Sequence, residues 1–113
     1  MNAMSIASPP ILQHLQQKKS QILAIAEHHG AYNLRIFGSV ARGEATPTSD
    51  IDILIDYDLV GISLAEQYRI TPWFPAGLKL DLEALLDRPV DIATPAMLKD
   101  RNRNRILSEA IPL

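Results

Sequence analysis

Two aspartates, Asp50 and Asp52, stand two positions apart in DIDILID, and a Gly38-Ser39 pair closes an apolar run with ten residues between Ser39 and Asp50. On a strand, side chains two apart leave the same face. Two carboxylates so placed repel each other unless something positive lies between them. A hard cation such as Mg²⁺ takes oxygen ligands, commonly one or two carboxylates together with substrate phosphates. Two such ions about 3.5–4 Å apart can stabilise the attacking and leaving oxygens of an in-line displacement at phosphorus. Gly38-Ser39 offers the complementary half. Glycine lets the backbone approach a ligand closely, free N–H groups at a helix start attract phosphate, and the Ser39 hydroxyl can add a hydrogen bond. The stretch is a candidate phosphate cradle beside a metal clamp, both halves gripping one nucleoside triphosphate. Asp91 lies between Val90 and Ile92. If those two face the core, Asp91 faces outward, where it could complete the metal site and accept the proton of an attacking hydroxyl. Taken alone, it also reads as an ordinary surface aspartate.

These residues need elements to hold them. Ser8 and Pro9 read as a helix cap and first turn, followed by Leu12, Leu15, Ile22, Leu23 and Ala26 at helical spacing. Gly30 is a stop, with His28 and His29 in the last turn as a solvated helix end rather than metal ligands. NLRIF, 33–37, reads as a strand, Gly38 to Gly43 as a turn and short helix, and EATPTS as a loop. Asp50 to Ile55 alternates as a strand with one apolar face, and DYDLVG ends it. Residues 62–70 read as a helix, interrupted by TPWFPAG with its two prolines and a glycine. Leu78, Leu82, Leu85 and Leu86 mark another helix, and Pro89 to Ile92 a short strand. Thr94-Pro95 opens a last helix carrying Leu98, Ile106, Leu107 and Ala110. The order α-β-α-β-α-β-α gives a small α/β (α+β) layered fold with three short strands and about four helices.

The chain has 113 residues, the size of one domain spanning 1–113, with 1–8 reading as a flexible N-terminus. A net charge of -2 argues against direct nucleic-acid binding through phosphates. The absence of cysteine excludes disulfides and thiolate metal sites and suits a cytoplasmic setting. The longest early apolar run, ILAIA, is far short of a membrane span, and the start lacks the pattern of a signal peptide.

G-S, ten residues and D-x-D, within GSVARGEATPTSDIDILID, resemble the signature of the DNA polymerase beta-like nucleotidyltransferases, in particular their smallest members, the minimal nucleotidyltransferases (MNT). The resemblance runs from about residue 10 to the C-terminus. It implies a polymerase beta-like palm with a short mixed three-stranded sheet. By position, Asp50 and Asp52 match the metal-binding pair and Asp91 the third acidic residue, ligand and base. Gly38 and Ser39 match the triphosphate-binding turn, Arg42 and Gly43 its continuation, and Ser49 falls among the nucleotide-binding positions. Arg42 is open to two readings, a phosphate contact or a buried ion pair with Glu44 or Asp52. The implied cofactors are Mg²⁺, two ions, with ATP as substrate. The implied partner is a HEPN-domain RNase toxin of a type VII toxin–antitoxin pair, silenced when AMP is transferred to a tyrosine hydroxyl.

TPWFPAG departs from the family pattern, and Tyr68, Trp73 and Phe74 could stack on adenine or a partner, or pack on the core. Asp56 shares strand parity with Asp52, as an extra ligand or a solvated strand end. KDRNRNR, 99–105, is a basic helix with Arg101 and Arg105 on one face, either solvated or docking a partner. Two other functions stay open: a module that neutralises a toxin by masking it, and a nucleotidyltransferase acting on an RNA end or a small molecule.

Overall fold

The computed structural model of the chain describes residues 10–57 and 76–113. In chain order the elements are α1 (Pro10–Gln17), α2 (Lys19–His28), β1 (Ala31–Phe37), α3 (Gly38–Arg42), β2 (Ile51–Tyr57), α4 (Ala76–Leu86), β3 (Val90–Ala93), a 3₁₀ turn (Pro95–Met97), α5 (Asp100–Glu109) and β4 (Ile111–Pro112). The sheet is mixed, in the order β3-β2-β1-β4. β1 runs antiparallel to β2 and to β4, while β2 and β3 are parallel. The mixed α/β class expected from the sequence is therefore present. The strand count is corrected from three to four, and the described residues contain five α-helices rather than about four. The extra strand escaped because Ile111-Pro112 is only two residues long and contains a proline, tolerated at a sheet edge.

β2 sits at the centre, between β1 and β3. Ile51, Ile53 and Ile55 are buried, as the alternation predicts, but so is Leu54 on the other face. Both faces are covered there, and only Asp52 and Asp56 break the apolar run. Burying each such side chain contributes roughly 1.5–3 kcal/mol. The helices bring Leu15, Ile22, Ala26, Leu78, Leu82 and Leu86 into the same core.

Several boundaries differ from expectation. The N-terminal helix is two helices, broken at Lys18, whose N–H is shared between the carbonyls of His14 and Leu15, each at 3.1 Å. The polar run Gln16 to Gln21 has no apolar side chain to hold a straight axis against the core. Leu23 is exposed, and Ile25 packs on the core instead. Ala76-Gly77, the end of TPWFPAG, form the first turn of α4. Thr94-Pro95 opens only the single 3₁₀ turn, and α5 starts at Asp100 after the extended Leu98 and Lys99. The Ser8-Pro9 cap, the helix at 62–70 and the aromatic residues Tyr68, Trp73 and Phe74 lie outside the described residues. Among the described residues no helix is long and apolar enough to cross a membrane.

Candidate active site

β1 ends at Phe37, and the chain turns at once into α3 through Gly38, whose φ is +73°. That angle suits glycine, and a second constraint acts on the same residue: a β-carbon there would overlap the Asp52 carboxylate. Phe37 is the register partner of Asp52 across β1 and β2, which brings the turn against the carboxylate. α3 stops at Gly43, in a left-handed cap at φ +74°.

The parallel ladder of β2 and β3 pairs Asp52 with Asp91. Val90 and Ile92 are buried and Asp91 is exposed, as the alternation requires. Their proximity, invisible in the sequence, is thus a consequence of register. Asp50 is not on the strand, since β2 begins at Ile51; it is exposed at the end of the preceding loop. The three carboxyls nevertheless share one electrostatic environment. Partial burial first, then the charges of Asp91 and Asp50, push the Asp52 carboxyl up to about 6, helped by a hydrogen bond with Asp91 and opposed by Arg42.

That is a strained arrangement for carboxylates alone. Among the described residues no three His, Asp or Glu side chains converge on one point as they stand. The donor chemistry still fits a hard divalent cation: every donor is oxygen, and a cation there would relieve the crowding that helps raise the Asp52 carboxyl to about 6. Asp50, Asp52 and Asp91 are the residues that would hold such an ion.

The loop that delivers Asp50 is tied down from below. The Arg88 guanidinium donates to the carbonyls of Ser49 (2.9 Å) and Thr46 (3.2 Å), and the Ile51 N–H to Pro89 (2.9 Å). The Ser49 hydroxyl accepts the Thr46 N–H at 2.8 Å and so folds this loop. Beside Asp91, Lys79 donates to Glu83 and to the Val90 carbonyl, both at 2.7 Å, while Glu83 accepts the Val90 N–H at 2.9 Å. Glu83 foremost, with Asp91 and Asp50, makes Lys79 hold its proton more firmly than usual.

Arg42 is exposed rather than buried. It pairs with Glu44 at 2.9 Å, one of the two expected partners, and with Glu109 at 3.2 Å, while Asp52 feels it only through space. Glu109, on the last turn of α5, also accepts the Gly38 N–H at 2.8 Å. Gly38, Ser39, Arg42, Asp52, Arg105 and Glu109 line one cavity of about 300 Å³. A larger cavity of about 530 Å³ lies between α1 and the α4–β3 turn, with Ile51 in its lining but none of Asp50, Asp52 and Asp91.

Other candidates separate from this cluster. Asp56 sits four residues further along β2, roughly 13 Å from Asp52 at strand spacing. It pairs there with Asn33 (2.8 Å) and Arg35 (3.1 Å), so it is neither a solvated strand end nor near the site. His29 is not a solvated helix end: mostly buried, it bonds Asp81 at 2.7 Å and ties α2 to α4. In the basic helix, Arg105 reaches the cavity and Arg103 bonds the Pro95 carbonyl at 2.7 Å. Glu109, Arg88 and Lys79 carry no sequence motif. Only the Lys79–Glu83 spacing is legible as a helical ion pair.

A strand-turn-helix at Gly38 therefore stands beside Asp52 and Asp91 on a mixed sheet, with Asp50 in the loop before β2. The chain belongs to the nucleotidyltransferase domain family, whose model matches residues 18–113. This makes it a transferase. Members of that family generally use ATP and divalent metal ions. The chain is 37% identical over 98 residues, 87% of this chain and 96% of the other, to a Methanocaldococcus jannaschii protein provisionally named a protein adenylyltransferase. It is 32% identical to the protein adenylyltransferase MntA of Thermococcus cleftensis, covering 77% of this chain and 79% of that one. A solved structure described provisionally as a minimal nucleotidyltransferase superposes with a TM-score of 0.66 at 41% identity, covering 90% of this chain and 95% of that one.

Proposed function

We propose that this chain is the antitoxin of a HEPN/MNT pair, transferring AMP from ATP to a tyrosine hydroxyl of its cognate HEPN RNase toxin and so silencing it. The observation that carries the reading is the pairing of Asp52 with Asp91 directly against the Gly38 turn. On this reading Asp91, the proton acceptor, lies one strand over from Asp52, which packs against the turn that would bind phosphate. The relatives named as protein adenylyltransferases favour a protein acceptor over an RNA end or a small molecule.

In this reading the Gly38 N–H, the Ser39 hydroxyl and the Arg42 guanidinium hold the phosphates. The acceptor oxygen forms its bond to the α-phosphorus as the bond to the β-phosphate bridge breaks, and pyrophosphate leaves. Asp91, exposed at the rim, takes the hydroxyl proton. A divalent cation bound by Asp50, Asp52 and Asp91 would supply charge stabilisation at the phosphoryl oxygens. Arg88 and the Lys79–Glu83 pair hold the loop and strand that carry Asp50 and Asp91. The working compartment is the cytoplasm, where ATP is available.

Intact mass spectrometry of the HEPN partner after incubation with this chain, ATP and Mg²⁺ tests the proposal, with Asp50→Asn/Asp52→Asn as control. Mass gains in whole AMP units, absent from the control, are expected. A partner that is bound and silenced without a mass gain would instead establish masking.

A further inference from the structure

We infer that the C-terminal half of α5 is a third wall of the triphosphate cradle, on which Arg105 binds the polyphosphate and Glu109 is an internal anion that the triphosphate displaces. This rests on the reading of the Gly38 turn as the nucleotide site.

The Glu109 side chain is only 14% exposed. It accepts the Gly38 N–H at 2.8 Å, Arg42 at 3.2 and 3.3 Å, and Arg105 at 3.4 Å. A backbone N–H at a turn glycine and two guanidinium groups are the donors that recognise phosphate oxygens. Here they converge on one carboxylate inside the cavity that Asp52 also lines. Glu109 therefore stands, in charge and in hydrogen-bonding role, where a phosphate group would stand.

The fit is loose. Charge-assisted N–H to oxygen bonds run about 2.7–2.9 Å, and the three guanidinium contacts of 3.2, 3.3 and 3.4 Å all exceed that. Glu109 is shared between two arginines, of which Arg42 also has Glu44 at 2.9 Å, whereas a triphosphate brings more charge and more acceptor oxygens. Glu109 is the last residue of α5, so its side chain can turn outward without unwinding the helix. Exchange leaves Arg42 and Arg105 facing the phosphates. Until then, it keeps two cations from attracting unrelated anions.

Binding of inorganic triphosphate and of ATP, each with Mg²⁺, measured by calorimetry on the full chain, tests this. Glu109→Gln keeps an acceptor for the Gly38 N–H and removes the competing charge, and should bind triphosphate roughly five- to tenfold more tightly. Arg105→Gln should bind it about tenfold more weakly and with a shallower salt dependence. A Glu109→Gln chain that binds no tighter, or an Arg105→Gln chain that binds as the wild type does, overturns the proposal and leaves Glu109 a fixed brace. A wild-type chain that binds neither ligand overturns the nucleotide reading itself, and this inference with it. Should Glu109→Gln fail to fold, the wild type still decides. The Glu109 carboxyl ¹³C resonance must shift on adding triphosphate; an unmoved resonance with triphosphate bound refutes displacement.

Discussion

At Asp52 the needs of folding and of chemistry oppose each other. Its carboxyl is pulled towards the protonated form chiefly by burial, then by Asp91 and Asp50, and titrates at about 6 against an ordinary 3.8. In that window the folded, metal-free chain binds more protons than the unfolded one. The stabilisation is complete below about pH 4 and is lost as pH rises through 6. Asp52→Asn should therefore raise the melting temperature of metal-free protein at pH 7–8, by about 4–8 °C for each kcal/mol relieved. It should also flatten the slope between pH 4 and 6 while abolishing transfer. Thermal melts of both chains across that range check it; a variant no more stable than wild type at pH 8 would show that the carboxylate is not strained. The aspartate pair and the glycine–serine turn stand out in the sequence because residue type and close spacing mark them. Glu109 was not, because its partner Gly38 lies 71 residues away and nothing local marks a helix-ending glutamate as a ligand.

The elements decide how firmly these groups are held. Asp50 projects from a loop rather than from β2, and that loop is braced by Arg88, which stands just before β3 and bonds the carbonyls of Thr46 and Ser49. A guanidinium–carbonyl bond of this kind is worth about 1.5–3 kcal/mol. Arg88→Met retains the length of the side chain and removes both bonds. Its expected effect is a several-fold rise in the Mg²⁺ concentration for half-maximal transfer, with saturating activity reduced less, read from metal titrations of initial rate. An unchanged metal requirement would make the brace irrelevant to Asp50. Periodicity located α4 and the apolar face of β2 well, since Leu78, Leu82 and Leu86 and the three isoleucines carry their own spacing. It failed at Lys18 and at Leu98-Lys99. Neither break falls at a proline or a glycine, so nothing in the residue types marks it.

Over the whole molecule, the sheet order brings the candidate site together at one junction: β3 contributes Asp91, β2 Asp52, and β1 the turn at Gly38. β1 would be the open edge of this sheet, and β4 covers it. Ile36 pairs with Ile111, Arg35 with Pro112, and the Leu113 N–H donates to the Leu34 carbonyl at 3.0 Å. Proline blunts the new edge, since it offers no N–H to a further strand. β4 also anchors the end of α5, one residue after Glu109, so edge protection and the proposed third wall of the cradle depend on the same three residues. A chain ending at Ala110 loses the Leu113 packing and exposes unpaired groups of β1. Its melting temperature should fall by at least about 4–8 °C, the effect of ~1 kcal/mol in a domain of this size. Size-exclusion chromatography should show concentration-dependent association through the bare edge. Triphosphate binding should weaken together with these changes, because Arg105 and Glu109 lose the strand that fixes their helix end. If the truncated chain elutes and melts as the full chain does, β4 is dispensable, and α3 and the core hold α5 in place without it.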